Sequence, residues 1–162
     1  MNIQGRVGGT ITGYDLNLEL DGNELDGRIG GSMIGKDVDL QVQSGSVSGR
    51  VGGQFNGFDV SGQINPSGIQ LRFGGSVLGD DVSLTIHDGL ATGRFSGSLL
   101  GKDVHLQAVG SGIAGRIGGE FEGKDVHLTG SAPFEIMAVS AVIAFKMLED
   151  AQSSSAASSG SS

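Results

Sequence analysis

From Asn2 to about Leu128 the chain alternates apolar and polar residues with a period of two, as a strand with one buried face requires. In "DVDLQV", Val38, Leu40 and Val42 alternate with Asp37, Asp39 and Gln41. In "VSGRVGGQF", Val47, Gly49, Val51, Gly53 and Phe55 share one face, while Ser48, Arg50, Gly52 and Gln54 share the other. Two such stretches make one unit of a strict repeat. Arg6, Arg28, Arg50, Arg72, Arg94 and Arg116 recur every 22 residues, and an aspartate follows each by nine: Asp15, Asp37, Asp59, Asp81, Asp103 and Asp125. A fixed period dictates the architecture, and connections as short as these join only antiparallel neighbours. The expected fold is mainly β: six 22-residue hairpins closing into a 12-stranded antiparallel meander barrel.

Turns at Gly35-Lys36 and Gly45-Ser46 keep every apolar residue on one side. They place Met33 opposite Val38, Gly31 opposite Leu40, Arg28 opposite Glu19 and Arg50 opposite Gln41. A closed barrel of this strand number has a radius of roughly 12 Å, too wide for its own side chains to fill. The segment "APFEIMAVSAVIAFKMLED" supplies the filling. Pro133 suits a helix start, Glu135 suits its first turn, and the residues that follow are apolar on nearly all sides, which marks a helix buried all round. A central helix over about 133–149 is expected, with Phe134, Met137, Ala141, Phe145 and Leu148 in the core. Inward glycines such as Gly31, Gly49, Gly53 and Gly75 would leave room for it. One domain then covers 1–150, and the Ser/Ala-rich 151–162 is expected to be a flexible tail.

Composition narrows the function classes. Glycine accounts for 31 of 162 residues without the period or proline content of collagen. Cysteine is absent, which removes disulfides and thiolate metal sites, and the start "MNIQGRVGG" lacks the pattern of a secretory signal. A cytoplasmic location is the expectation. A net charge of -8 argues against nucleic-acid binding, which needs a basic footprint.

Candidate chemistry is sparse. The outward arginines could form an anion-binding stripe, but solvated pairing with the cross-strand neighbours Glu19, Gln41, Gln63, Thr85 or Gln107 is the stronger reading. The six aspartates flank turns; Asp80 with Asp81 could attract a cation, yet the ligand spacing of a calcium loop is missing. His105 and His127 hold equivalent outward positions two strands apart, about 10 Å, too far to share one metal. His127 is placed opposite Glu120, and His87 beside Asp88 has no nucleophile next to it. With no catalytic constellation or phosphate loop, neither an enzyme nor a cofactor is expected.

A 12-stranded barrel threaded by the apolar "FEIMAVSAVIAFKMLE" resembles the tubby C-terminal-like superfamily, which includes the phospholipid scramblases and the LURP-one-related proteins. The resemblance covers the layout of residues 1–150. It implies a non-enzymatic binding or scaffold module whose partner is a membrane lipid or a protein; a monomer is expected because a closed barrel offers no free edge for pairing. The family's lipid site is built from basic side chains, and no such cluster is evident here to carry it over. The alternative is a purely structural repeat without a ligand, either a parallel β-helix or a designed or consensus-built barrel.

Overall fold

The structure is a computed structural model that describes residues 1–30, 34–74, 79–96, 101–119 and 123–160. Its elements are β1 (Asn2–Val7), β2 (Tyr14–Asp21), β3 (Glu24–Gly30), β4 (Gly35–Gln43), β5 (Ser46–Val51), β6 (Phe58–Asn65), β7 (Gly68–Gly74), β8 (Gly79–His87), β9 (Leu90–Ser96), β10 (Gly101–Val109), β11 (Gly112–Ile117), β12 (Lys124–Gly130) and α1 (Phe134–Gly160). The strands form a closed meander barrel in which β1 pairs with β12, every pairing being antiparallel. Antiparallel pairing eliminates the parallel β-helix.

Inward positions are buried and apolar, from Ile3 and Val7 through Leu40, Val60 and Phe73 to Leu128. Outward positions such as Asn17, Asp26, Asp39 and Gln41 are exposed. This is the reverse of a lipid-spanning barrel, whose apolar band faces out. Among the described residues no helix is long and apolar enough to cross a membrane.

The register corrects the expected turns. Gly30 pairs with Gly35 and Arg28 with Asp37, so Gly35-Lys36 already belongs to β4 and is not the turn. At the other end Gln43 pairs with Ser46, leaving Ser44-Gly45 as the turn. Both of its residues have positive φ, 54° and 80°, as a type I′ turn demands. Arg28 stands opposite Asn17 and Asp37 rather than Glu19, and Arg50 opposite Asp39 and Asp59 rather than Gln41. Val38 faces Gly27 and Val51. His127 stands opposite Arg6 and Ala114, not Glu120. Glu120, Gly31, Met33 and Gly75 lie outside the described residues.

One layer of the interior alternates large and small across strands. Leu18 faces Gly27, Leu40 faces Gly49, Leu84 faces Gly93, Leu106 faces Gly115 and Leu128 faces Gly5. In the remaining copy the order is exchanged, and Gly62 faces Leu71. A Cβ on Gly49 would lie 2.2 Å from the Asp39 carbonyl oxygen and 2.8 Å from Leu40 Cα. These glycines therefore make room for the neighbouring strand and its leucine, not for the helix as expected of Gly49. Gly53 lies in a loop.

The helix occupies the axis. Ile136 to Phe145 are buried without interruption, as are Met147 and Leu148; Phe134 is partly buried. The Pro133 carbonyl accepts bonds from the Ile136 and Met137 amides and so begins the helix. Ser140, the buried polar residue of this core, donates its hydroxyl to the Ile136 carbonyl at 2.8 Å. The helix runs past the expected end near 149: α1 continues to Gly160. The added stretch is rich in Ala and Ser and has no proline or internal glycine, so propagation meets no breaker before Gly160.

Candidate functional site

The meander sorts its connections by length. Two-residue turns close one end of the barrel, where α1 enters; loops such as 8–13 and 52–57 crown the other, where α1 leaves. The long-loop end is built from the repeat's most constant residues. Gly52, two residues after Arg50, has φ 85°, which ends the strand and begins the loop. The arginine then meets the aspartate nine residues on, across the hairpin. The six pairs Arg6–Asp15, Arg28–Asp37, Arg50–Asp59, Arg72–Asp81, Arg94–Asp103 and Arg116–Asp125 lie at 2.8, 2.8, 2.8, 2.9, 2.9 and 2.6 Å.

The same guanidinium groups hold the loops. Arg6 donates to the Gly9, Thr10 and Gly13 carbonyls, Arg50 to Gly53 and Gln54, and Arg116 to Gly119 and Gly123. An exposed ion pair alone contributes about 0–1 kcal/mol, but one arginine satisfying a carboxylate and several loop carbonyls fixes a loop shape. The arginines and aspartates are thus paired with each other, and for Arg72, Arg94 and Arg116 the expected partners Gln63, Thr85 and Gln107 are replaced by Asp81, Asp103 and Asp125.

At this end the loops 8–13 and 52–57 each lift an apolar side chain into solvent, and Ile34, just before β4, is exposed as well. Ile11 is 93% exposed, Ile34 72% and Phe55 94%. Phe55, expected on the buried face, is therefore a loop tip. For Ile11 and Phe55 the signal is present in the sequence: the fifth residue after each arginine is apolar in every copy, as Ile11, Met33, Phe55, Val77, Leu99 and Phe121, whereas Ile34 is the sixth after Arg28. Between these tips and the emerging helix a cavity of about 440 Å³ opens, lined by Tyr14, Ile34, Lys36, Asn56, Met147 and Asp150.

One ion pair lies inside the mouth. Lys146 of α1 meets Asp80 at the start of β8 at 2.7 Å and Asp150 at 3.0 Å, with the Lys146 and Asp80 side chains 13% and 16% exposed. The ammonium also lies 5.5 Å from the centre of the Phe58 ring. Burial pulls the Lys146 pKa down, but the hydrogen bonds to Asp80 and Asp150 outweigh it and hold the group above its ordinary value of 10.5. A pKa raised on folding stabilises the protein below the unfolded value, and that contribution is lost as pH climbs through the folded one. Urea midpoints measured from about pH 8 to about pH 12 are therefore expected to fall above the ordinary lysine pKa, and to fall less in Lys146→Met.

The remaining candidates are dispersed. His87, the last residue of β8, lies 3.3 Å from Asp88, both side chains largely exposed, and His105 stands opposite Thr92 and Arg116. On the outer wall Asp26 sits between Glu19 and Asp39. Slight loss of hydration, then the carboxylates of Asp39, Glu24 and Asp21, raise its pKa above the usual carboxylate value. Among the described residues no group of three or more His, Cys, Asp and Glu could hold a metal ion. No protein-family model matches the chain, and neither a curated protein nor a solved structure matches it.

Proposed function

We propose that this protein is a non-enzymatic, monomeric binding module that meets a lipid surface with the long-loop end of its barrel. The observation that carries the reading is the set of exposed apolar side chains at this end, Ile11 and Phe55 on loops that the Arg–Asp pairs fix and Ile34 just before β4. Exposed apolar groups gathered at one end of a protein mark an interaction surface. Three such side chains entering a membrane interface contribute on the order of 5 kcal/mol, enough for weak, reversible association. The layout shared with tubby-like barrels points to lipid as well, but the contact differs in kind. Six arginines are engaged by aspartates, so apolar insertion rather than basic head-group capture carries the binding. The cytoplasm is the compartment this reading assumes.

Co-sedimentation with neutral and phosphoinositide-containing vesicles, with and without calcium, at low and physiological salt, tests it. The parent protein is expected to pellet with neutral vesicles at both salt concentrations. The triple variant Ile11→Ser, Ile34→Ser, Phe55→Ser should remain in the supernatant while melting within about 2 °C of the parent, because these side chains are already hydrated. A parent that pellets with no vesicle overturns the lipid reading. The purely structural repeat is the second reading, favoured by a lumen that α1 occupies and by repeat charges that satisfy one another.

A further inference from the structure

A helix that is apolar all round has little reason to choose one angular setting inside a wall of six near-identical hairpins. Hydrophobic residues of about the right size suffice for packing, but a unique arrangement needs something more specific. Turning α1 by about 60° would present it to the next hairpin, and sliding it by one turn, about 5.4 Å, would keep its apolar surface inside. The structure breaks this near-degeneracy where the hairpins differ.

The difference is concentrated in a ring at the mouth. Eight residues after each arginine, at the start of the even-numbered strands, stand Tyr14, Lys36, Phe58, Asp80, Lys102 and Lys124. Asp80 is the single acid among these six, and it receives the one lysine of α1. Three of the other five positions carry lysine, so rotating α1 toward them would set ammonium against ammonium in a partly dehydrated mouth. One ring position attracts Lys146 strongly, its neighbour Phe58 offers a weaker contact to the same ammonium, and Lys36, Lys102 and Lys124 repel it. The aromatic contacts of α1 fall on the same side. Phe145 packs edge-on against Phe95 at 5.1 Å, and Phe95 continues to Phe73 and Phe58 at 6.1 and 5.5 Å.

We propose that the Lys146–Asp80 pair is a rotational key, selecting one of six near-equivalent settings of the axial helix and fixing its depth. A buried pair of this kind acts through choice of register more than through stability, since apolar substitutes of similar size often stabilise as well. Lys146 and Asp80 are positioning residues in this role.

The test compares the parent with Asp80→Leu/Lys146→Met and with the charge-reversed Asp80→Lys/Lys146→Asp, each as the full chain, by methyl and aromatic NMR. The parent is expected to give one set of α1 methyl signals and a Phe145–Phe95 cross-peak. The neutral variant should remain folded and melt within a few degrees of it, yet show more than one set of α1 signals with the cross-peak weakened. The charge-reversed variant should return to one set with the parent cross-peak. A neutral variant with a single set and an unchanged cross-peak would overturn the proposal. So would a neutral variant that fails to fold, because the pair would then supply stability rather than selection, and so would a charge-reversed variant with several sets.

Discussion

A chain that stops at Ser131 is expected to give no folded monomer. The helix it would lack buries Ile136, Met137, Val139, Val142, Ile143, Phe145, Met147 and Leu148. At about 1.5–3 kcal/mol for each large apolar side chain, these residues alone contribute on the order of 15 kcal/mol, as much as the whole net stability of an ordinary domain. The wall loses as well. Ile3, Leu25, Leu40, Ile69 and Leu106 would line an open lumen, and apolar linings left without partners are costly. Circular dichroism and light scattering should find an unfolded or aggregated product, and refolding with a synthetic peptide of residues 132–152 should restore the strand signal. A truncated chain that unfolds cooperatively as a soluble monomer would refute the axial role of α1.

The second large effect is expected where leucine meets glycine. Gly93 faces Leu84, and a Cβ on Gly93 would lie 1.9 Å from the Ser83 carbonyl oxygen. That obstacle is the backbone of β8, which yields only if the strand itself shifts. Gly93→Leu is therefore expected to cost at least about 3 kcal/mol, and Leu84→Gly about 4 kcal/mol through its cavity and added backbone freedom. The exchanged pair, Leu84→Gly with Gly93→Leu, should recover at least about 2 kcal/mol of the summed loss, because it reproduces the arrangement the chain already uses at Gly62 and Leu71. Urea denaturation of the four proteins closes the cycle. Additive losses would show that size matching across β8 and β9 does not govern this layer.

The faces of the strands were legible in the sequence although the register was not, and the reason is parity. Placing Val38 opposite Met33 instead of Gly27 misses by six residues, and placing Arg50 opposite Gln41 instead of Asp39 misses by two. Both shifts are even, so each side chain keeps its face. A period of two cannot separate such registers. What separates them is chemistry between strands: the arginine and aspartate nine residues apart, and the leucine that always finds a glycine. Phe55 was misplaced because the alternation runs on past Gly52, where positive φ has already ended β5. The buried run of α1 could be read from its uniform apolarity, whereas its extension to Gly160 rests on the absence of a breaker. The loop crown was missed for the same reason as Phe55. Apolar residues at even spacing look like core until the strand is known to have stopped.

Native-state hydrogen exchange of the α1 amides tests the central claim, a barrel closed around an axial helix, most directly. If α1 is enclosed by twelve paired strands, the amides of Ala141 to Phe145 can reach water only when the barrel opens. Their exchange free energies should then equal the global unfolding free energy and match those of Leu40 and Leu106 in the wall. Exchange of these helix amides at free energies well below the global value, with the strand amides still protected, would mean that the helix leaves a barrel that stands without it.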